Sequence, residues 1–275
     1  MTTSNWKKVL DSNEVIYGGI PCPTGYYCPP GTPEPLACPD GLTVQGTGAM
    51  FLSQCQPCPA GRYCEAGNPT PIICPAGHYC VHASAKPTPC PPGSMSGMRG
   101  AEDMSACSPC PAGYICPSGS TNVSSADQVC PKGHFCPENS AEPVPCLPGR
   151  FNRELRASRI GQCFECISGF YCPERGTVHP NDHPCPGGFY CPSGSIAPHP
   201  CPAGSYCPSL SDGPKPCVGL PGYYCPHQAN QPLLCPAGHV CPDGSSAPLP
   251  CPKGSFHPLV TSPSDAPPLT CKVCP

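Results

Sequence analysis

The chain has 275 residues, of which 29 are Cys, 48 are Pro and 30 are Gly. Cysteine at about one residue in ten is typical of a disulfide scaffold, and too few large apolar residues remain to expect a single globular core. The net charge of −3 is too small to favour a nucleic-acid partner or an acidic membrane.

Residues 1–21 precede the first cysteine, and we expect them either to fray or to belong to a truncated module. They lack the apolar run of a secretory signal, and no stretch of the chain has the length of a membrane span. Disulfides persist outside the cell and are rare in the reducing cytosol. We therefore expect an extracellular or cell-surface fragment whose export signal, and any membrane anchor, lie in a longer parent protein.

Residues 22–275 are tandem repeats, and the short form reads Cys-Pro-x-Gly-x-aromatic-Cys. Its glycine predicts a turn through positive φ, and the ring before the second cysteine predicts a miniature core against a disulfide. The short repeats begin at Cys22, Cys58, Cys74, Cys110, Cys130, Cys166, Cys185, Cys201, Cys217 and Cys235.

A long form of the repeat begins at Cys38, Cys90, Cys146 and Cys251, where the gap to the next cysteine widens and ends in Cys-x-x-Cys. The last repeat, at Cys274, is incomplete. Prolines after most cysteines disfavour helix. The segment 149–160 has no proline, so we expect a turn or two of helix there.

These spacings resemble the ephrin-receptor-like cysteine-rich repeat, which is related in layout to tumour-necrosis-factor-receptor and laminin-type modules. The resemblance covers residues 22–275. It implies an elongated tandem array of small disulfide-rich modules with minimal β-hairpins and little helix. Long runs of the short form differ from the ephrin receptors themselves, no kinase part is present, and no particular ligand is implied.

Two pairing schemes follow for the cysteines. The long repeats suggest internal bridges, namely Cys38–Cys55, Cys90–Cys107, Cys146–Cys163 and Cys251–Cys271. Receptor-like modules imply alternating bridges between two short repeats, namely Cys58–Cys74 with Cys64–Cys80 and Cys110–Cys130 with Cys116–Cys136. In the run of short repeats over 166–241 the alternating scheme fails for one repeat, so the connectivity there stays open.

Zinc is the main chemical alternative, since Cys-x-x-Cys pairs recur and His78, His134 and His239 share one position of the short repeat. The steady series of further cysteines favours bridging over isolated metal sites. A thioredoxin-like redox role would need a βαβ context, which is lacking. No nucleophile, phosphate-loop or metalloprotease motif is present, and we expect no enzyme activity and no cofactor.

Two kinds of surface site stand out. Asn122 begins the sequon Asn-Val-Ser and is the candidate glycosylation site. Arg150, Arg153, Arg156 and Arg159 recur every three residues, so a helical turn would align them as an anion contact for a glycosaminoglycan or an acidic partner.

The leading functional hypothesis is a non-enzymatic structural or adhesive repeat protein outside the cell, whose loops contact a protein or a glycan. One alternative is the ligand-binding ectodomain of a membrane receptor, which would need a membrane span and a signalling part elsewhere in the parent. A second alternative is a subunit of a self-assembling extracellular filament.

Overall fold

A computed structural model describes residues 9–11, 14–16, 20–257 and 270–275. The chain divides into a first body, residues 1–128 with 138–142, and a second body, residues 129–137 with 143–275. Each body is a tandem series of small hairpin modules closed by disulfides, as the repeat pattern predicts. Most of the predicted segment 1–21 lies outside the described residues.

Most repeats form one two-stranded antiparallel hairpin, whose first strand follows the turn glycine and whose second strand ends just before the next cysteine. The repeat that begins at Cys166 has an isolated bridge between Phe170 and Pro184 instead, and the repeat that begins at Cys110 has no strand pair of its own among the described residues. In the first body the hairpins pair Val9–Asp11 with Glu14–Ile16, Tyr26–Tyr27 with Leu36–Ala37, Leu42–Thr43 with Gln56–Pro57, Arg62–Tyr63 with Ile72–Ile73, His78–Tyr79 with Thr88–Pro89, and Ser94–Met95 with Ser108–Pro109. Its 3₁₀ turns are Leu52–Gln54, Met104–Ala106 and Ala126–Gln128.

The second body repeats this arrangement. Its hairpins pair His134–Phe135 with Val144–Pro145, Arg150–Phe151 with Phe164–Glu165, Phe189–Tyr190 with His199–Pro200, Ser205–Tyr206 with Lys215–Pro216, Tyr223–Tyr224 with Leu233–Leu234, His239–Val240 with Leu249–Pro250, and Ser255–Phe256 with Lys272–Val273. One 3₁₀ turn, Ile160–Gln162, precedes Cys163.

The disulfides close single repeats. There are 14 disulfides, and the long repeats contain the bridges suggested for them, Cys38–Cys55, Cys90–Cys107, Cys146–Cys163 and Cys251–Cys271. Part of the last loop, residues 258–269, lies outside the described residues. Cys274 is a free, exposed thiol.

The alternating pairing of the short repeats was wrong. Each short repeat is bridged internally, and the four repeats concerned contain Cys58–Cys64, Cys74–Cys80, Cys110–Cys116 and Cys130–Cys136. The glycine turn brings the two cysteine Cα atoms of one repeat to 5.8–5.9 Å, which suits a disulfide. The run over 166–241 is resolved in the same way, since each of its repeats is bridged within itself.

The core of each module is a disulfide with small side chains around it. No Val, Leu, Ile, Met, Phe, Tyr or Trp of the described part of the chain is buried, whereas nearly all bridged cysteines are. The ring of Tyr206 packs against the neighbouring cluster of Cys217, Cys225 and Ala229. Here the ring lies against the disulfide of the following repeat.

Backbone hydrogen bonds join each module to the next. The amide of Gly61 in one turn donates to the carbonyl oxygen of Cys80 in the following repeat at 2.8 Å. The same bond recurs from Gly41 to Cys64, Gly93 to Cys116, Gly149 to Cys172, Gly169 to Cys191, Gly188 to Cys207, Gly204 to Cys225 and Gly222 to Cys241. In long repeats the acceptor at this position is not a cysteine, and the bonds run from Gly25 to Val44, Gly77 to Ser96 and Gly133 to Asn152.

A second bond comes from a left-handed residue in most linkers, where a linker is the segment between the hairpin turn of one repeat and its second strand. The amide of this residue donates to the carbonyl oxygen of the first cysteine of the preceding repeat, as from Ala83 to Cys58 at 2.8 Å. Glycine fills this left-handed position in many repeats. The five non-glycine residues with positive φ among the described residues also lie there, namely Ala83, Asn139, Arg156, Leu210 and Gln228. Satisfying the carbonyl of a buried cysteine offsets the cost of the left-handed conformation.

Candidate interaction loops

The loops of the long repeats are the largest departures from the minimal module. In the repeat that begins at Cys146, the loop runs from residue 152 to 159 and leads into the turn Ile160–Gln162. The side-chain Oε1 of Gln162 accepts hydrogen bonds from the amides of Ser158 and Arg159 at 2.7 and 3.2 Å. These bonds fix the end of the loop.

The repeat that begins at Cys38 uses the same device, because Gln54 Oε1 accepts from the amides of Met50 and Phe51 at 2.6 and 2.9 Å. In the repeat that begins at Cys90, Asp103 Oδ1 instead accepts from the Ser105 amide at 2.8 Å. Hydrogen bonding from Ser105 to the carboxylate holds the pKa of Asp103 below its ordinary value.

Asn152 fixes the start of the loop after Cys146. It is fully buried, its Nδ2 donates to the carbonyl oxygens of His134 and Glu154 at 2.9 and 3.1 Å, and its Oδ1 accepts from the Glu154 amide at 2.8 Å. It lies at the position that the second cysteine occupies in a short repeat. The Asn152 carbonyl oxygen accepts a hydrogen bond from the amide of Gly133 in the preceding repeat, and the second cysteine of a short repeat accepts the same bond from the turn glycine of its preceding repeat. Hydrogen bonds here take the place of a disulfide.

Further along, Arg156 and Ala157 attach the loop to the preceding repeat. The Arg156 amide donates to Cys130 at 3.0 Å, and the Ala157 carbonyl oxygen accepts from Cys136 at 2.8 Å. Ala157 is fully buried. The backbone of this loop is therefore held at its start, middle and end.

The expected helix over 149–160 was wrong. Arg150–Phe151 is a strand paired with Phe164–Glu165, and the left-handed conformation at Arg156, with φ of +63°, is incompatible with helix. The four arginines are therefore not aligned as on a helix face.

The structure separates Arg150 from the other three. Arg150 is half-buried, its Nη2 lies 3.2 Å from Glu165 Oε1, and its Nη1 donates to the Cys163 carbonyl oxygen at 2.9 Å. Arg153, Arg156 and Arg159 are exposed. Arg150 thus belongs to the hairpin, and the remaining three are the candidate anion contacts.

Arg153 is held in place although it is exposed. Its guanidinium carbon lies 5.5 Å from the centroid of the Phe151 ring, and its Nη2 donates to Asn181 Oδ1 at 3.2 Å. Asn181 belongs to the following repeat, so this arginine bridges two modules. A cation over an aromatic face is weakly stabilised and is kept in a defined position.

Asn122 lies exposed in the wide loop between Cys116 and Cys130. Its Oδ1 accepts from the Ser124 amide at 3.2 Å, so the sequon forms a local turn at the surface. Attachment of a glycan stays a prediction.

In the Cys-x-x-Cys pairs at Cys55, Cys107 and Cys163 the two cysteines belong to different disulfides, as Cys55 pairs with Cys38 and Cys58 pairs with Cys64. Cys271 is likewise bridged to Cys251. The histidines considered as zinc ligands instead approach backbone carbonyls: the Nδ1 atoms of His78, His134 and His239 lie 3.2, 3.0 and 3.1 Å from oxygens two residues earlier.

No protein-family model matches the chain, and no curated protein matches its sequence. Within the part of the chain that the structure describes, no helix is long and apolar enough to cross a bilayer. Dense disulfide bonding is typical of extracellular proteins, so the compartment inferred from cysteine usage is consistent with the fold.

Asn152 and the left-handed linker position were not predicted from the sequence. A signal for the second was present, because the left-handed residue is followed by a small buried one, as in Gly48-Ala49, Gly100-Ala101 and Gly194-Ser195. For Asn152 the signal was its distance from Cys146, which equals the spacing of two bridged cysteines in a short repeat.

Proposed function

We propose that the chain is a non-enzymatic extracellular repeat protein of the ephrin-receptor-like kind, which acts as a disulfide-closed structural or adhesive spacer and presents loops to protein or glycan partners. The observation that carries this proposal is that every disulfide closes within one repeat, while neighbours are joined by recurring backbone bonds. A repeat of this kind can be added or removed without changing how its neighbours join.

The presented loops support a contact role. Leu52, Met104 and Ile160 occupy the same position in three long repeats, directly after the loop, and their side chains are 46%, 58% and 57% exposed. Exposed apolar residues at one recurring position of these loops suit contact with another molecule.

The test exchanges one pair of short repeats for another. Cells that lack the native protein are complemented with a variant in which residues 185–216 are replaced by residues 58–89, two short repeats of equal length. A spacer should restore the cell-surface phenotype, whereas an equally long Gly-Ser linker should not, because it has neither bridges nor fixed joints. Loss of function on the repeat exchange would instead favour a ligand-binding ectodomain with a specific surface there.

A further inference from the structure

The loop of the repeat that begins at Cys146 carries arginine at three positions where two long repeats of the same length do not. The long repeats after Cys38, Cys90 and Cys146 have the same length and the same backbone bonds, from Gly48 to Cys22, Gly100 to Cys74 and Arg156 to Cys130. Three positions of this common loop carry Gln45, Gly48 and Phe51 in the first repeat, Gly97, Gly100 and Asp103 in the second, and Arg153, Arg156 and Arg159 in the third.

Arginine at the middle position is not required by the fold. Arg156 has φ of +63° where the equivalent residues are Gly48 and Gly100, with φ of +82° and +75°. Glycine adopts this conformation at no steric cost, whereas a side chain adds about 1 kcal/mol. The repeat thus carries an exposed cation where the repeats that begin at Cys38 and Cys90 carry the residue that suits the backbone.

The backbone of the loop and the guanidinium of Arg153 are held in place before any ligand binds. Its backbone is fixed by Asn152, Ala157 and Gln162, and the Arg153 guanidinium is held between Phe151 and Asn181. A rigid loop loses little conformational entropy on binding, so more of the interaction energy contributes to affinity.

Positive charge is concentrated at this place in an acidic chain. Five of the seven arginines lie within residues 150–175, together with only three carboxylates, while the whole chain carries −3. Glu165 is already paired with Arg150. A polyanion would therefore be attracted to this surface and not to the chain as a whole.

We propose that Arg153, Arg156 and Arg159 form a binding surface for a sulfated polysaccharide. Guanidinium groups bind sulfate and carboxylate through paired hydrogen bonds, and a linear polyanion can engage several of them along one loop. The inference adds a partner to the extracellular array proposed above, and binding to the purified oxidised chain tests it separately from the spacer role.

The test replaces the three arginines with the residues found at the same positions in the loop of the repeat that begins at Cys38. The variant Arg153→Gln, Arg156→Gly, Arg159→Phe carries the residues of the repeat after Cys38, so the loop should keep its fold. A control variant, Lys86→Gln, Arg99→Gln, Lys215→Gln, removes the same charge from exposed positions elsewhere. Binding to heparin is measured by surface plasmon resonance at several salt concentrations.

We expect the loop variant to bind heparin about tenfold more weakly than the native chain, and the control to bind like the native chain. The reverse graft, Gln45→Arg, Gly48→Arg, Phe51→Arg, should strengthen binding. If the loop variant and the control variant lose heparin binding equally, the binding depends only on total charge and the proposal is overturned. Unchanged heparin binding in the loop variant would also overturn it. Anionic lipid vesicles serve as a second probe, and loop-dependent binding to vesicles as strong as to heparin would also contradict it.

Discussion

The side-chain Nδ2 of Asn152 donates to the carbonyl oxygen of His134 at 2.9 Å, across the junction of two consecutive repeats. In short repeats the equivalent position holds a bridged cysteine. In the long repeat the partner of Cys146 is Cys163, which follows the loop. The hydrogen bonds of Asn152 therefore fix the start of the loop, where a short repeat would have a disulfide. Long loops are tolerated in this repeat because the position that lost its cysteine is still fixed.

Replacing Asn152 with Ala should therefore loosen this loop. The change removes three hydrogen bonds and leaves the His134 carbonyl oxygen without its side-chain donor, at a cost of about 2–4 kcal/mol. Hydrogen exchange followed by mass spectrometry should show faster exchange in residues 150–163. The exposed Asn122→Ala is the control and should leave exchange in that segment as it was; equal exchange in both variants would argue against a structural role for Asn152.

Turn glycines should differ in their tolerance of a side chain. Gly61 and Gly31 both have positive φ, but a Cβ on Gly61 would lie 2.6 Å from the carbonyl oxygen of Gly100, two repeats further on, whereas a Cβ on Gly31 meets nothing within 4 Å. Gly31→Ala should cost about 1 kcal/mol from backbone strain alone, and Gly61→Ala distinctly more. Thermal unfolding of the oxidised proteins measures the difference, and equal melting temperatures would show that the close approach is unimportant.

The sequence was sufficient for the modules and for part of their bonding. The regular spacing of the cysteines and the turn glycine specify hairpins. In a long repeat the first cysteine has one obvious partner, as in Cys38–Cys55. The alternating pairing predicted for the short repeats follows the layout of receptor modules, which differs from the local geometry of a turn such as the one closed by Cys58–Cys64. Arg156 was placed on a helix because residue spacing does not reveal a left-handed backbone held by a distant carbonyl.

The left-handed linker position allows a reciprocal pair of substitutions. Leu210 has φ of +66° and an exposed side chain, and Gly194 occupies the equivalent place in the preceding repeat with φ of +78°. Leu210→Gly should stabilise the chain by up to about 1 kcal/mol, and Gly194→Leu should destabilise it by a similar amount. Denaturant unfolding monitored at the tyrosines gives both values. A destabilising Leu210→Gly would mean that the leucine side chain contributes packing that outweighs the strain.

Asn122 should carry a glycan when the chain is secreted from eukaryotic cells. The residue is exposed, and it lies in a loop whose width between Cys116 and Cys130 leaves room for one. Treatment with an N-glycosidase should increase electrophoretic mobility, and Asn122→Gln should abolish that shift. Secretion of Asn122→Gln with a mobility still sensitive to the enzyme would place the glycan elsewhere.

Mechanical extension should report the internal pairing of the short repeats directly. In the repeat that begins at Cys58 the bridge encloses a sequence separation of 6, across which the Cα atoms are 5.9 Å apart. Because an extended chain spans about 3.4 Å per residue, reducing this bridge should release about 15 Å of additional length when the chain is pulled. Single-molecule extension of the full chain, with and without a reductant, measures the release. Alternating bridges such as Cys58–Cys74 would hide far more chain per bond, so increments several times larger would contradict pairing within the repeat.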